Sequence, residues 1–260
     1  MVHHVRIEIT TIEELKNKNN KLIKKMKIKR ISLLTSLSLS ILLLSGCGEM
    51  TYEEINNPEF IKGIVASGSW DVTVYQSNTP KAHIDYKDSY DITAEVRSDG
   101  YLHLKVKPHI LRPNFKKNFK ATVEIPSIEY IKGSDAANFS FNGNFEGDHC
   151  KIDLSDASDV RHFNYHGNTL EINLKDASDC SINGKGNHVK IYGSDASNVK
   201  MFNFTTETLD ITLKDASDAE ITVNERITGK LSDVSGLKYR GNADVSGVKT
   251  NDASKIKKTS

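Results

Sequence analysis

The amino-acid sequence predicts an all-β protein, a right-handed parallel β-helix with coils of about 20 residues that follows a sector of alternating β-strands. One observation is a phrase, Asp-Ala-Ser, that returns through the C-terminal half, and another is the alternation of apolar and polar residues on both sides of it. Successive Asp residues are 21, 20, 19, 20, 18 and 19 residues apart, a period typical of a solenoid in which each repeat is one coil. The Asp residues are Asp135, Asp156, Asp176, Asp195, Asp215, Asp233 and Asp252, with a further variant of the phrase at Asp244.

The N-terminal part of the chain predicts export. Met26 is followed by basic residues and then by an apolar run, residues 31–44. A basic start and a short apolar run that ends in small residues make a secretory signal, and the run is shorter than the roughly 20 residues of a membrane-spanning helix. We therefore assign residues 26–46 to a signal peptide. We also predict that translation starts at Met26, which makes residues 1–25 a mis-assigned upstream extension.

The signal peptide ends in Leu44-Ser45-Gly46-Cys47, which resembles the lipobox of bacterial lipoproteins. This resemblance implies cleavage before Cys47 and attachment of diacylglycerol to its sulfur, so that the lipid binds the protein to a membrane. Residues 47–59 form an acidic tether. Acidic residues directly after the lipidated Cys resemble the surface-display signal of Bacteroidetes-type lipoproteins. The predicted location is the cell envelope, as an outer-membrane lipoprotein on either its periplasmic or its external face.

The charge of the mature chain argues against nucleic acid as a partner. Removal of residues 1–46 takes away 9 of 35 basic and 3 of 34 acidic residues, which leaves 26 against 31 and a net charge of −5. A nucleic-acid-binding domain is expected to be basic instead.

Residues 60–126 predict an N-terminal β sector. Apolar and polar residues alternate in several short stretches, among them residues 70–75, 92–96 and 101–106. Ser98-Asp99-Gly100 lies between the last two, and an Asp-Gly turn between alternating runs indicates a β-hairpin. The repeats follow at residues 127–260, and we expect 60–260 to form one continuous domain.

Each repeat predicts two strands around a tight corner. Before the corner, apolar residues such as Cys150, Ile152 and Leu154 alternate with polar ones, which gives the strand one apolar face. A second alternating stretch, such as Val160 to His162, follows the corner. Asp and Ser suit a corner because their side chains bond nearby backbone groups, and Ala is expected where coils pack closely. Further turns are predicted at the Gly-Asn pairs Gly167-Asn168, Gly186-Asn187 and Gly241-Asn242.

Several segments in a fixed order resemble a known protein family. They are residues 60–64, Gly68-Ser69-Trp70-Asp71-Val72-Thr73-Val74-Tyr75-Gln76, Asp99-Gly100-Tyr101-Leu102, Val123-Glu124-Ile125-Pro126, the repeated Ser-Asp-Ala-Ser phrases and residues 237–242. Together they resemble the "putative auto-transporter adhesin, head GIN domain" family over about residues 60 to 258. The resemblance implies an all-β, β-helix-like, lipid-anchored envelope protein. This sequence has Asp where the family often has Gly, which puts glycine-dependent turn geometry in question.

The column of corner carboxylates is the first candidate site. Stacked coils would place Asp135, Asp156, Asp176, Asp195 and Asp215 about 4.8 Å apart, where each pair repels by roughly 0.9 kcal/mol in water. Backbone N–H groups could relieve this repulsion, as could Lys175 and Lys214, which precede Asp in alternate coils. The alternative is a Ca²⁺ ion between coils, assisted by Asp159, Asp179, Asn198 and Asp218. A structural corner is favoured, because hard cations need several converging oxygens.

Aromatic residues are the second candidate. Phe163 and Tyr165 match Phe202 and Phe204 in their position within the repeat. If exposed, they would form a strip able to stack on sugar rings or on a partner protein. If a bulge shifts the alternation, they fill the core, which is the interpretation that we favour. Cys150 and Cys180 occupy inward positions on different strands, and we predict that both are buried, unpaired thiols.

The sequence shows no nucleophile motif, metal-type His spacing or phosphate loop. We therefore predict a non-catalytic binding, adhesion or structural role with no required cofactor, in which the partner is a glycan or another surface protein. The alternative is a Ca²⁺-dependent β-helix enzyme that degrades polysaccharides, since such enzymes use Asp-bound Ca²⁺. An active site, however, breaks the regularity of a repeat at one place, whereas this Asp is itself repeated.

Overall fold

A computed structural model describes residues 50–55, 58–87, 91–106 and 119–260 of the chain. Apart from a 3-10 turn at Pro58–Phe60, the regular structure of these residues is entirely β, in one sheet of 17 strands. The strands are β1 (Met50–Glu54), β2 (Gly63–Ser67), β3 (Trp70–Gln76), β4 (Lys81–Lys87), β5 (Ile92–Val96), β6 (Tyr101–Val106), β7 (Phe119–Ile125), β8 (Tyr130–Ser134), β9 (Asn138–Asn142), β10 (Asn144–Leu154), β11 (Asp159–Leu174), β12 (Asp179–Gly193), β13 (Asn198–Leu213), β14 (Asp218–Leu231), β15 (Gly236–Arg240), β16 (Asp244–Thr250) and β17 (Lys255–Lys258).

The repeats stack as a parallel β-solenoid, which confirms the predicted fold class. Strand β11 runs from one corner to the next and pairs in parallel with β10 on one side and β12 on the other. Asp159 pairs with Asp179 at the start of β11, and Leu174 pairs with Gly193 at its end. The solenoid therefore has an exit face, made of the segments that leave the corners, and an entry face, made of the segments that run into them.

The N-terminal sector continues this stack and closes it. Strands β2 and β3 form a coil that pairs in parallel with β8 and β9 on one side and with β6 and β7 on the other. Beyond them the direction changes, because β5 pairs with β6, β4 with β7 and β1 with β4 in antiparallel fashion. The hairpin between β5 and β6 turns at Asp99-Gly100, where Gly100 has φ 79°. This end of the sheet is thus covered by antiparallel strands.

The core runs the length of the solenoid as one cluster of inward side chains. Stacks such as Ile131, Ile152, Ile172, Ile191 and Ile211 follow from the register of the parallel ladders. Each such side chain contributes about 1.5 to 3 kcal/mol when it is fully buried. The short strands are therefore stabilised by neighbouring coils.

Two features of the coils differ from the sequence prediction. Gly167-Asn168 and Gly186-Asn187 lie within β11 and β12 and form no separate turns, because the ladder continues through both glycines. What changes there is the alternation of inward residues: Tyr165 is the last buried residue before the pair in β11, and Leu170 is the first buried residue after it. Gly241, in contrast, has φ 91° and does form the predicted bend.

The described residues, 50–55, 58–87, 91–106 and 119–260, belong to one compact unit. A fragment that starts at residue 48 therefore keeps every described strand. The signal peptide, Met26 and Cys47 lie outside the described residues. Within the described ranges, no helix has the length and apolar character needed to cross a membrane.

Candidate functional site

The Asp-Ala-Ser corners turn by means of left-handed backbone. In the first four corners both Asp and Ala have positive φ, for example 54° at Asp156 and 59° at Ala157. Asp tolerates this region because its short polar side chain bonds locally, whereas Ala does not have that compensation. The departure from glycine in the family phrase thus leaves the left-handed turn in place.

The last three corners have a different turn. At Asp215, Asp233 and Asp252 only the Asp has positive φ, and the N–H of the following Ser closes the turn, as from Ser217 to the Lys214 carbonyl at 3.2 Å. Asp244 lies at the start of β16, where its carboxylate accepts the N–H of Ser246 at 2.9 Å. It therefore does not belong to the corner column.

Burial at the corners is the reverse of what we expected. Asp156 and Ala157 are exposed, and Ser158 is fully buried beneath them. Ser217 shows why a hydroxyl suits the inner position, because it donates to the Gly193 carbonyl at 3.0 Å. The buried Ser ladder, rather than the Ala ladder, therefore fills the space between coils.

The exposed carboxylates of the column are relieved in part by local hydrogen bonds. Asp156 accepts from the Ser155 hydroxyl at 2.7 Å, and Asp135 accepts from Ser67 at 2.7 Å and from Ser134 at 3.1 Å. In the part of the chain that the structure describes, no group of three or more His, Cys, Asp or Glu residues is arranged to hold a metal ion. The geometry thus lends no support to a Ca²⁺ ion in the column of Asp135, Asp156, Asp176, Asp195 and Asp215, and that site stays a prediction.

The aromatic residues of the second candidate site form no exposed strip. Phe163, Tyr165 and Phe204 are fully buried, as in the interpretation that we favoured, and only Phe202 is partly exposed, with the Arg240 guanidinium 4.3 Å from the centre of its ring. The cause is the bulge that this interpretation required. The register of β11 shifts between Val160 and Phe163, where His162 has φ 58°, and the extra residue turns Phe163 inward.

Both repeat-region cysteines are buried and free, as predicted. Burial raises the pKa of the Cys150 and Cys180 thiols. Since the thiolate is the reactive form, neither residue is suited to redox or nucleophilic chemistry.

A network of linked polar side chains lies on the entry face. Tyr130, Asp153, Asn173 and Tyr192 occupy successive coils there, and we call them the tyrosine face. The Tyr130 hydroxyl donates to Asp153 Oδ2 at 2.7 Å, and Asn173 Nδ2 donates to Asp153 Oδ1 at 2.7 Å. Asp153, Asn173 and Tyr192 align because each precedes the last inward residue before a corner.

Charged neighbours complete this network. Lys151 Nζ lies 3.1 Å from Glu171 Oε1, to which Asn173 also donates at 3.1 Å. The Asn173 hydrogen bond and then the Lys151 pair lower the pKa of Glu171, and the bond to Glu171 raises the pKa of Lys151. Burial and the bond to Asp153 raise the pKa of Tyr130. At neutral pH the face therefore presents the neutral phenol of Tyr130, the carboxylate of Glu171 and the ammonium group of Lys151.

Tyr192 is framed by the two lysines that precede corner Asp residues. Lys175 Nζ and Lys214 Nζ lie 5.9 and 5.3 Å from the centre of its ring. Both lysines thus lie beside an aromatic ring. Tyr192 makes the largest contribution to the raised pKa of Lys214, and Asp215 and Asp195 add smaller ones. A cation within about 6 Å of the centre of an aromatic ring is attracted to it.

A shallow cleft of 380 Å³ opens on this face. Its lining combines one aromatic ring, a carboxylate, an amide, a hydroxyl and lysines. Such a mixture can stack on one side of a ring and hydrogen-bond several hydroxyl groups. The lining residues are Lys132, Gly133, Asp153, Leu154, Ser155, Asn173, Lys175 and Tyr192.

Sequence reasoning missed Tyr130 and Tyr192 as candidate site residues. The available signal was their outward position, since each alternates with an inward Ile.

Comparisons with known proteins agree with the fold. Residues 60–243 match the family described as "Putative auto-transporter adhesin, head GIN domain". A crystal structure of a "putative adhesin" from Bacteroides fragilis has a TM-score of 0.71 at 15% identity and covers 81% of this chain and 97% of its own. A "putative adhesin" from Parabacteroides merdae has a TM-score of 0.65 at 16% identity, with coverage of 83% and 98%. A "putative lipid binding protein" from Parabacteroides distasonis has a TM-score of 0.61 at 14% identity, also with 83% and 98%. No curated protein matches the chain.

Proposed function

The chain belongs to the "Putative auto-transporter adhesin, head GIN domain" family, and from this membership we propose that it is a lipid-anchored, non-catalytic binding protein of the bacterial cell envelope. We propose further that it recognises a glycan through its tyrosine face. The adhesin descriptions of similar structures support an envelope role. The lipobox at Cys47 supports an outer-membrane lipoprotein. Of the predicted tether, residues 47–59, Met50–Glu54 form β1 and pair with β4, so this part belongs to the sheet.

The observation behind the glycan assignment is the polar network of the tyrosine face. Its donors and acceptors are held by bonds to each other, so little side-chain freedom remains to be lost on binding. A ligand rich in hydroxyl groups matches the mixed donors and acceptors of Asp153, Asn173 and Lys175, and a sugar ring matches the phenol of Tyr192. The cleft is open and shallow, which suits a chain that lies along the surface of the solenoid.

The test is a glycan array with the soluble fragment of residues 48–260. Wild-type protein should bind a restricted set of glycans. Tyr192→Ala and Asp153→Asn should each weaken that binding by about tenfold or more, as expected for loss of an interface anchor. Tyr75→Ala is the matched control, because Tyr75 is 43% exposed on the exit face, and it should bind like the wild type.

Three results would count against this function. Equal loss in Tyr75→Ala would place the binding elsewhere, and the absence of any bound glycan would remove the glycan assignment. Release of an unsaturated uronic-acid product from a bound polysaccharide would show a degrading enzyme instead.

The lipid anchor is tested separately by metabolic labelling with an alkyne-tagged fatty acid. The full chain should incorporate label, and Cys47→Ala should not. Cys150→Ala is the matched control and should keep the label, because its thiol is buried in the core. Label that persists in Cys47→Ala would disprove anchoring at this residue.

A further inference from the structure

The C-terminal end of the solenoid has an open parallel edge. Within the described ranges, β16 pairs only with β14, and β17 pairs only with β15. At the other end the sheet finishes in the antiparallel strands β1, β4 and β5. The two ends of the sheet therefore differ, and only the coil of β16 and β17 presents an unpaired parallel edge.

The hydrogen-bonding groups of this edge can be assigned. The N–H of Asn251 donates to Leu231, and the N–H of Lys255 donates to Ser235, so both point into the sheet. Backbone groups alternate between the two sides of a strand, so the N–H and C=O of Thr250 and Ile256 point outward. An added strand would find a donor and an acceptor at each of these positions.

The edge combines exposed apolar surface with positive charge. Val245, Val248 and Ile256 pack on the core but stay only half-buried. Residues 244–258 contain four Lys and two Asp, a net charge of 4 − 2 = +2. All four lysines are exposed, and they are Lys249, Lys255, Lys257 and Lys258.

A cleft beside β17 extends the same surface. It measures 280 Å³, and Lys238, Lys255 and Lys257 line it together with Val234, which is 70% exposed. Asp218 and Glu220 also line it, and Glu220 Oε1 is paired with Lys238 Nζ at 2.9 Å. It exists because Gly236 stands in the outward column that holds Asp218 in the preceding coil. The positive edge thus adjoins an apolar hollow that could receive a side chain.

We propose that this C-terminal edge is a strand-addition site for an acidic, extended peptide segment of a partner protein. When a peptide adds as a strand, its main-chain hydrogen bonds provide the affinity, and contacts of its alternate side chains provide the specificity. An acidic segment is selected because the edge is basic, and a second copy of the same edge would be repelled by like charge. This site is separate from the tyrosine face and does not depend on glycan binding.

The test uses the soluble fragment of residues 48–260 and a fluorescent peptide of about ten alternating Thr and Glu residues, the length of a long strand. Fluorescence anisotropy should show saturable binding that weakens as salt is added. The same peptide with alternate backbone nitrogens methylated loses donors on one edge, and it should bind about tenfold more weakly or worse. Hydrogen exchange of residues 244–258 should slow when the unmodified peptide is bound.

Matched charge variants locate the site. Lys255→Glu with Lys257→Glu should weaken binding by about tenfold. Lys185→Glu with Lys200→Glu makes the same change in net charge on exposed residues of middle coils and should leave binding within about twofold.

Several outcomes would overturn the proposal. They are absence of binding, equal affinity for the methylated peptide, equal loss in both double variants, or binding without slower exchange in residues 244–258. The methylated peptide tests the wild-type protein, so the result does not depend on whether a variant folds. If Lys255 and Lys257 serve only to guard the edge against aggregation, their replacement will cause aggregation while the wild type binds no peptide.

Discussion

The corner alanines adopt a backbone conformation that an L-residue adopts only at a cost. Ala157 has φ 59° and is exposed, so glycine could replace it without losing a packing contact. Because the left-handed region costs a non-glycine residue about 1 to 2 kcal/mol, Ala157→Gly should raise the free energy of unfolding by about 1 kcal/mol after the entropy of glycine is subtracted. Urea denaturation followed by circular dichroism measures the change.

Ala216 provides the matched control, because it holds the same place in the phrase but lies outside the left-handed region. Ala216→Gly should lower the free energy of unfolding by about 0.5 to 1 kcal/mol. Two changes of the same sign would contradict the difference between the two corner turns.

Glu171 is expected to make stability depend on pH. Its pKa is lowered in the folded protein, so its contribution is present above the unfolded pKa and is lost as pH falls through the folded value. The free energy of unfolding of the wild type should therefore exceed that of Glu171→Gln by up to about 1 kcal/mol at neutral pH. This difference should shrink as the pH falls below about 4.5. Thermal denaturation from neutral pH to about pH 3 is the measurement. A constant difference across this range would show that the carboxylate charge is not the cause.

Individual residues show where sequence reasoning succeeds and where it fails. The alternation places Cys150 and Cys180 inward, and both are buried. The same alternation left Phe163 ambiguous, because a single inserted residue in a strand reverses the face of every residue after it. The bulge at His162 has no local signal of its own, since its cause is the fit of one coil on the next.

At the scale of strands, inward glycines mark places where two coils approach each other closely. A Cβ on Gly167 would collide with the Gly147 carbonyl and the Tyr165 hydroxyl. Gly167→Ala should therefore lower the free energy of unfolding by about 2 to 3 kcal/mol, the upper part of the range of about 1 to 3 kcal/mol for overpacked cores. Urea denaturation checks this value.

Gly186 is the paired residue in the next coil and serves as the control. A Cβ there would lie 3.1 Å from Phe204 Cζ and 3.2 Å from the Gly167 carbonyl, so a small movement of the ring relieves most of the contact. Gly186→Ala should cost less than about 1 kcal/mol. Equal losses at the two positions would show that close approach of the backbone is not what requires glycine.

The strands themselves were predictable because each coil repeats the same constraint. Period-two alternation and the Asp-Ala-Ser interval determine the strands and their stacking, as the register of Asp159, Asp179 and Asn198 shows. Gly167-Asn168 was mistaken for a turn, whereas the hydrogen bonding between coils continues through this pair within β11. The tyrosine face was missed for a related reason. Its members belong to different coils, and only the three-dimensional ladder brings Tyr130 to Asp153.

For the whole molecule, stability should be close to a sum over coils and their neighbours. Among the described strands of the middle coils, β12 pairs with β11 on one side and β13 on the other, and the stability of such a stack is approximately a sum of coil terms and terms for neighbouring coils. Removal of residues 180–198 joins Asp179 to Val199 and leaves β11 facing β13 in the same register. The 19 missing residues correspond to about 1 to 3 kcal/mol at the usual stability per residue.

This deletion is therefore expected to yield a folded, shorter solenoid. Far-ultraviolet circular dichroism should keep its β signal, and urea denaturation should show the loss of about 1 to 3 kcal/mol. Deletion of residues 184–193 removes only half a coil, so corners would stack on strands and inward residues would meet solvent. That variant should not fold. If both deletions unfold the protein, the coils depend on contacts beyond their neighbours, and if both fold, the corner register does not determine the stack.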